Sequence, residues 1–422
     1  MMKEVFLYYI WENRLSSNLK TTDGQVIEVI FPGYRNTDSG PDFLEAKIKI
    51  GDTIWAGHIE IHVNSSDWHH HKHHLDKAYN NIILHVVYAH DSITVGIPTA
   101  ELKGHFDESL YNKYNAFIKS KAWVACAKSA KDLQTYTWLS WFDRVLVERL
   151  ENKTCIVEHI LEKTNNDWDE TCYRLVMKYL GLKVNNEAFE TLATMLPFKT
   201  LLKHHDQPIQ IEAMLMGCAG LLNGDFIDEY PNTLKREFKI LKAKFNLAVM
   251  PTERWKFMRM RPSNFPTIRL SQLAHIIHKG GNIFSKIIHH TSTAELKTLF
   301  QAQASSYWDT HFIFDKATRK AEKHLGDTAI DILIINAIAP ILFAYGRHIF
   351  QDEYCERSLS LLEATPSEDN NIVRSFSKIG IAAHNALQSQ GMIELYKNYC
   401  QTRRCIECRI GALLIKGHSP TT

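Results

Sequence analysis

The stretch GPDFLEAKIKIGDTIWAGHIEIH, Gly40 to His62, decides how the N-terminal part of this chain folds. Apolar and polar residues alternate on both sides of Gly51-Asp52, the pattern of two strands joined by a tight turn. Phe43 to Ile50 is the first strand and Thr53 to Val63 the second. On the second, Trp55, Gly57, Ile59, Ile61 and Val63 make a mostly apolar face that expects a core. The other face reads His58, Glu60, His62. Residues two apart on a strand point the same way, roughly 7 Å from each other, so Glu60 and His62 can reach one cation. A polar sheet face wetted by solvent is the alternative.

Upstream, residues 2 to 15 have helical spacing, with Phe6, Leu7, Ile10 and Trp11 on one stripe, and Gln25 to Phe31 reads as a strand. The segment Tyr34 to Gly40 is polar and turn-rich. Downstream comes a histidine run, Trp68 to His74, then a short helical piece through Asp76 and Tyr79. Asn81 to Tyr88, NIILHVVY, is apolar enough to be a strand buried on both faces. Within it His85 alternates with Ile83 and Val87. It reads as a hydrogen-bonded core histidine that can look onto the face carrying His62. His71 and His73 suit a transition-metal site with His62; a solvated histidine loop is the alternative, and His69, His70 and His74 read as surface residues.

After about residue 102 the composition changes, and from Leu133 to about Leu414 nearly every segment has helical periodicity. The reading is therefore α+β, with a sheet domain over residues 1–125 and an all-helical domain over 126–422. At 422 residues two domains are expected, and 49 basic against 47 acidic residues neither demand nor exclude a nucleic-acid partner. The eight cysteines do not form a secreted disulfide pattern, and the opening MMKEVFLYYIWENRL has acids inside its apolar run. The apolar run Ile330 to Tyr345 contains Asp331, Asn336 and Pro340, which reads as a buried helix rather than a membrane span. A cytoplasmic protein with no membrane partner is the expectation.

Two further constellations carry chemistry. Cys400, Cys405 and Cys408 are spaced C-x4-C-x2-C, which suits zinc or the first three ligands of an iron–sulfur cluster. Cys126 is the first candidate for a fourth ligand and His418 the second. Unbound thiols are the alternative. The loop WKFMRMRPSNFPTIR, Trp255 to Arg269, interleaves Lys256, Arg259, Arg261 and Arg269 with aromatic residues, as a phosphate-backbone and base-stacking surface would. The same residues can also cap helices or pair with acids.

The order helix, three strands, helix, strand, with Pro41-Asp42 opening one strand and Glu60-Ile61-His62 on the next, resembles the PD-(D/E)XK nuclease superfamily. That resemblance implies Asp42 and Glu60 as ligands of Mg or Mn, Glu4 as a third carboxylate, and a phosphodiester substrate in DNA or, second, RNA. His62 stands where the superfamily has lysine, which leaves a non-catalytic binding or scaffolding descendant as an alternative. A metal hydrolase of another substrate, built on His58, Glu60, His62 and the downstream histidines, is the remaining one. Over almost its full length the chain also resembles an uncharacterised bacterial domain-of-unknown-function family. That resemblance rests on GPDFLEAKIKI, GHIEIH, SSDW with His71 and His73, YNNIILHVV, RMRPSNFPTIRL and YCQTRRCIECRIG.

Overall fold

The computed structural model describes residues 2–92, 96–290 and 292–417. It contains two compact units, Met1–Thr137 with Tyr396–Thr422, and Trp138–Leu395.

The first unit is built on a mixed sheet. Helix α1 (Glu4–Glu12) is followed by β1 (Ile27–Phe31), the two-residue β2 (Tyr34–Arg35), β3 (Phe43–Ile50), β4 (Thr53–Asn64), β5 (Ile82–Ala89) and β6 (Thr99–Glu101). The sheet runs β1-β3-β4-β5-β6, with β2 pairing β3. β3 runs antiparallel to both its neighbours, β1 and β4, while β4–β5 and β5–β6 are parallel. Gly51-Asp52 closes the β3–β4 hairpin, with Ile50 opposite Thr53 and Gly51 at φ +57°, the left-handed conformation a two-residue hairpin turn requires. The segment expected to be only turns contains the short β2, because Tyr34 and Arg35 pair with Leu44 and Phe43.

The core of this unit joins Phe6, Ile10 and Trp11 of α1 to Phe43, Ile48, Ile59, Ile61, Leu84 and Val86 of the sheet. Each such side chain taken out of water contributes about 1.5–3 kcal/mol. Trp11 Nε1 also donates to Pro32 O at 2.9 Å, which ties α1 to the turn after β1. Gly57 is required by β5: a Cβ there would stand 2.5 Å from Ile83 Cγ2 and 2.7 Å from Asn81 O. A bulge shifts the β3–β4 register between Phe43 and Ala46, with Glu45 at φ +58°.

A parallel connection cannot be a tight turn, and the crossover from β4 to β5 is the histidine segment. It forms α2 (Asp67–His70) and two 3-10 turns, His73–Leu75 and Lys77–Tyr79. Asp91 holds its start by accepting from Ser66 N at 2.8 Å and from the Ser65 and Ser66 hydroxyls. Lys72 takes φ +62°, and Asp76 accepts from Ala78 N at 2.9 Å.

The sequence reading leaves the cysteine-rich segment at the end of the helical region. In the structure it groups with the sheet unit, because Ile406 and Ile415 belong to the sheet core and Tyr9 OH donates to Ala412 O at 3.1 Å. Periodicity assigns a helix but not the core it joins.

The second unit is helical, apart from the hairpin His311–Ile313 and Lys316–Ala317. Its core includes Tyr173, Phe189, Phe198, Ile268, Trp308 and Phe300. Buried Glu212 sits in that core, accepting from Trp308 Nε1 at 2.7 Å and Ser271 Oγ at 2.8 Å, so its desolvation is offset by donors. Asp327–His348 is, among the described residues, the one helix long and apolar enough to cross a membrane, and 72% of its most apolar window is buried inside the protein. Within it a π turn, Ile334–Ile338, presents Asn336 to Lys153 Nζ at 2.8 Å. Arg149 is paired with Glu394 at 3.1 Å and Arg144 with Glu148 at 3.3 Å, so these residues belong to salt-bridged faces.

Candidate metal centre

The register of β4 and β5 determines which polar side chains meet. Glu60 lies opposite His85 and His62 opposite Val87, so Glu60, His62 and His85 share one face of the sheet. The crossover then returns over the end of β4 with His71 and His73. His62 Nε2 lies 3.1 Å from His71 Nδ1 and 3.5 Å from Glu60 Oε1, and His73 Nε2 lies 3.2 Å from the same Glu60 oxygen. Ligand atoms of His62, His71 and His73 all fall within 4.8 Å of one another. His62 is buried, His73 half-buried and His71 exposed, so the group is open on one side.

The two carboxylates are clamped across the mouth of the β3–β4 pair. Asp42 N donates to Glu60 Oε2 at 3.1 Å, and Ile61 N donates to Asp42 Oδ2 at 2.9 Å. Each acid thus gives one oxygen to the backbone, and Glu60 keeps Oε1 for the imidazoles. Tyr8 donates its hydroxyl to Asp42, and Glu4, one turn earlier on α1, acts electrostatically on Asp42 and His71. All four acids and bases expected from the sequence, Glu4, Asp42, Glu60 and His62, therefore converge.

The electrostatics follow from crowding like charges in a dry place. Burial first, and then the charge of Asp42, pushes the Glu60 carboxyl up to about 9. Burial likewise raises Asp42 and Glu4. Burial, aided by His85, His73 and His71, pushes His62 down to about 2, and the same effect with His73 takes His85 down to about 4. Burial thus keeps His62, His73 and His85 as neutral lone-pair donors beside carboxyls that it raises.

His85 is both things the sequence allowed. It is fully buried, and its Nε2 lies 2.9 Å from His62 Nδ1, which fixes the orientation of the His62 ring. Tyr79 packs on His73 with ring centroids 3.9 Å apart. Tyr8 and Tyr79 escaped the sequence reading, although Tyr8 follows Glu4 by one helical turn and so had to share its face. His58 does not join the group. It accepts from Glu45 N at 3.2 Å and so serves the bulge. Lys47 and Lys49 lie opposite Ala56 and Ile54, well along β4 from Glu60, so neither supplies the position of the absent lysine. His69, His70 and His74 are exposed, as expected.

The donor set fits a cation. His73 Nε2 is buried with no hydrogen-bond partner among the described residues although Glu60 is close, and three imidazoles beside carboxylates match the preferences of a transition ion better than those of magnesium.

The cysteines also converge. Cys126, Cys400, Cys405 and Cys408 line one cavity with Phe117, Ala125, Tyr399 and Gly411. His418 lies outside the described residues. The basic loop does not hold together as a surface. Lys256, Arg259 and Arg261 are exposed, but Arg269 is 5% exposed and donates to Asn264 Oδ1 at 2.6 Å and Gln272 Oε1 at 3.0 Å. Arg269 is therefore corrected to an internal brace of the helix Pro266–Gly280; its position in the first turn of that helix turns it inward. Trp255 is also buried, donating Nε1 to Ala219 O at 2.8 Å, and cannot stack on a base.

Fold and site together define a mixed α+β protein carrying a histidine–carboxylate candidate metal centre. Residues 4–371 match the family described as "Protein of unknown function (DUF2851)", and the chain belongs to that family. No curated protein and no solved structure matches it.

Proposed function

We propose that this protein is a metal-dependent hydrolase acting on phosphodiesters, with His62, His71, His73 and Glu60 holding the cation and Asp42 and Glu4 beside it. The observation that carries the reading is the meeting of Glu60 with three imidazoles on the open end of a parallel strand pair, where α/β folds place ligands. A bound divalent ion there would supply Lewis acidity and a more acidic water.

This chain's own residues do the rest. His85 orients the His62 ring through Nδ1 so that Nε2 faces Glu60 and His71. Backbone donors keep Asp42 and Glu60 from rotating away. Asp42 and Glu4, both raised by burial, are placed to accept or return a proton at the edge of the cluster. The phosphodiester assignment leans on the PD-(D/E)XK-like strand order and on Asp42 and Glu60 standing where that superfamily holds its ion. Imidazoles in place of the lysine favour Mn or another transition ion over Mg. Nucleic acid, DNA before RNA, is the substrate class.

The same cluster also favours a second reading, a metal hydrolase acting on another substrate, since His71 stands beside His62. Single-stranded and duplex DNA and RNA, together with a small phosphodiester, incubated with Mn and with Mg, separate the two. Cleavage of nucleic acid by the wild type, lost in Glu60→Ala, supports the first. Turnover of the small ester alone keeps the phosphodiester chemistry and removes nucleic acid as its substrate, and no turnover by folded, metal-loaded protein refutes the first reading in favour of the second.

A further inference from the structure

A second cluster lies in the same unit, and the histidine site makes no use of it. Cys126 sits in the segment after α3 (Ser109–Lys119), whereas Cys400, Cys405 and Cys408 come from the C-terminal segment. The four side chains nevertheless line one cavity, whose other walls are mainly apolar. All four are free thiols. Cys405 and Cys408 are 8% and 7% exposed.

Three features are hard to reconcile with packing alone. Cys408 is the residue from which the helix Arg409–Lys416 starts, and its sulfur accepts from the backbone N–H groups of Ile410 and Gly411. Backbone donors aimed at sulfur stabilise a thiolate. Gly411 lets the helix approach closely, since a Cβ there would stand 2.1 Å from Cys405 O. Arg403, with φ +56°, donates Nη2 to Ser120 O and Ala122 O at 2.9 Å each, while its Nη1 is buried with no hydrogen-bond partner among the described residues. Its charge acts on Cys126, Cys400 and Cys405. A buried guanidinium donor without an acceptor beside four sulfurs is uncompensated while the thiols are neutral, and compensated when they carry negative charge around a metal.

We propose that Cys126, Cys400, Cys405 and Cys408 form a tetrathiolate metal centre, filled by a zinc ion or an iron–sulfur cluster, with Arg403 as its charge partner. Four protein sulfurs close the coordination shell, so the centre is structural and presents no open position. Its place in the chain gives it a task. The chain leaves the sheet unit after Thr137 and returns at Tyr396, and the ligands lie on both sides of that excursion. The centre therefore pins the returning segment to the segment that departs, within the sheet unit itself. Loop-closure entropy grows with the length enclosed, so a crosslink spanning the whole helical unit has a large effect.

The test uses the full chain purified without oxygen, with zinc, iron and sulfide counted per chain before and after supply of zinc or of iron with sulfide. With the histidine site disabled by His62→Ala, about one zinc, or about four iron with four sulfide and visible absorption, is expected and distinguishes the two fillings. Cys126→Ser and Cys408→Ser lose that metal at least tenfold, whereas exposed Cys155→Ser and the histidine-site variant His62→Ala retain it. Should the serine variants fold poorly, the unmodified chain still reports: four thiols resist alkylation until a chelator strips the metal. Wild type that binds neither filling, or metal content unchanged by both serine substitutions, overturns the proposal. Neither result touches the histidine site, whose failure would appear in His62→Ala and in turnover.

Discussion

The histidine–carboxylate group and the cysteine cavity sit in one unit and differ in almost every physical respect. The first mixes nitrogen and oxygen donors, leaves His71 exposed, and ties each carboxylate to the backbone through one oxygen. The second has four donors of one kind in an apolar cavity. A centre with mixed ligands and an open side can admit a substrate. A centre closed by four sulfurs can only hold chain segments together. The contrast assigns reactivity to the sheet face and stability to the cysteines, and each of the following outcomes either sharpens or breaks that division.

The largest effect is expected at Glu60. Glu60→Ala removes the carboxylate that, among the described residues, touches both His62 and His73, and turnover in Mn should fall by about 10³-fold or more while the cysteine-bound metal count stays fixed. Equal losses at both centres would break the division. Cys408→Ser should do the reverse, lowering stability by ~3–5 kcal/mol in chemical denaturation while folded protein keeps its turnover. His85→Ala comes next. With the ring of His62 no longer fixed at Nδ1, affinity for Mn in a calorimetric titration should weaken by about 10–100-fold.

A smaller effect has an unusual sign. The Glu60 carboxyl is pushed up to about 9 by burial and by Asp42. Between the unfolded value of about 4.3 and about 9, the folded metal-free protein keeps a proton that the unfolded chain has lost. Stability of the metal-free protein therefore falls as pH rises through that window. Glu60→Gln cannot ionise, so at pH 8 it should be more stable than metal-free wild type by ~1–3 kcal/mol, measured by denaturant titration. Added Mn should reverse the order, since only wild type gains from binding. The smallest change is expected at His69, whose side chain is exposed and outside the cluster: His69→Ala should leave Mn affinity and stability unchanged.

Much of the sheet side was legible because period-two alternation and the Gly51-Asp52 turn leave little freedom in register. The face carrying Glu60 and His62 follows from that register, and so does the place of His85. His71 and His73 were singled out, but which histidines of the run turn inward depends on the left-handed Lys72 and on the Asp76 turn, which no periodicity encodes. His58 shows the limit of alternation: it shares the strand face with Glu60, yet a bulge at Glu45 claims its ring nitrogen. In the helical unit the basic loop was misread at Arg269 and Trp255. Charge and aromaticity in a loop do not reveal which residues point into the core, and both of these do.

The central claim is that Glu60 and the three histidines share one ion. Crystals grown with Mn and measured at the manganese absorption edge test it most directly. The account predicts an anomalous peak among Glu60, His62, His71 and His73, absent in crystals of His62→Ala. Manganese confined to exposed carboxylates elsewhere, with that cluster empty at saturating metal, would contradict it.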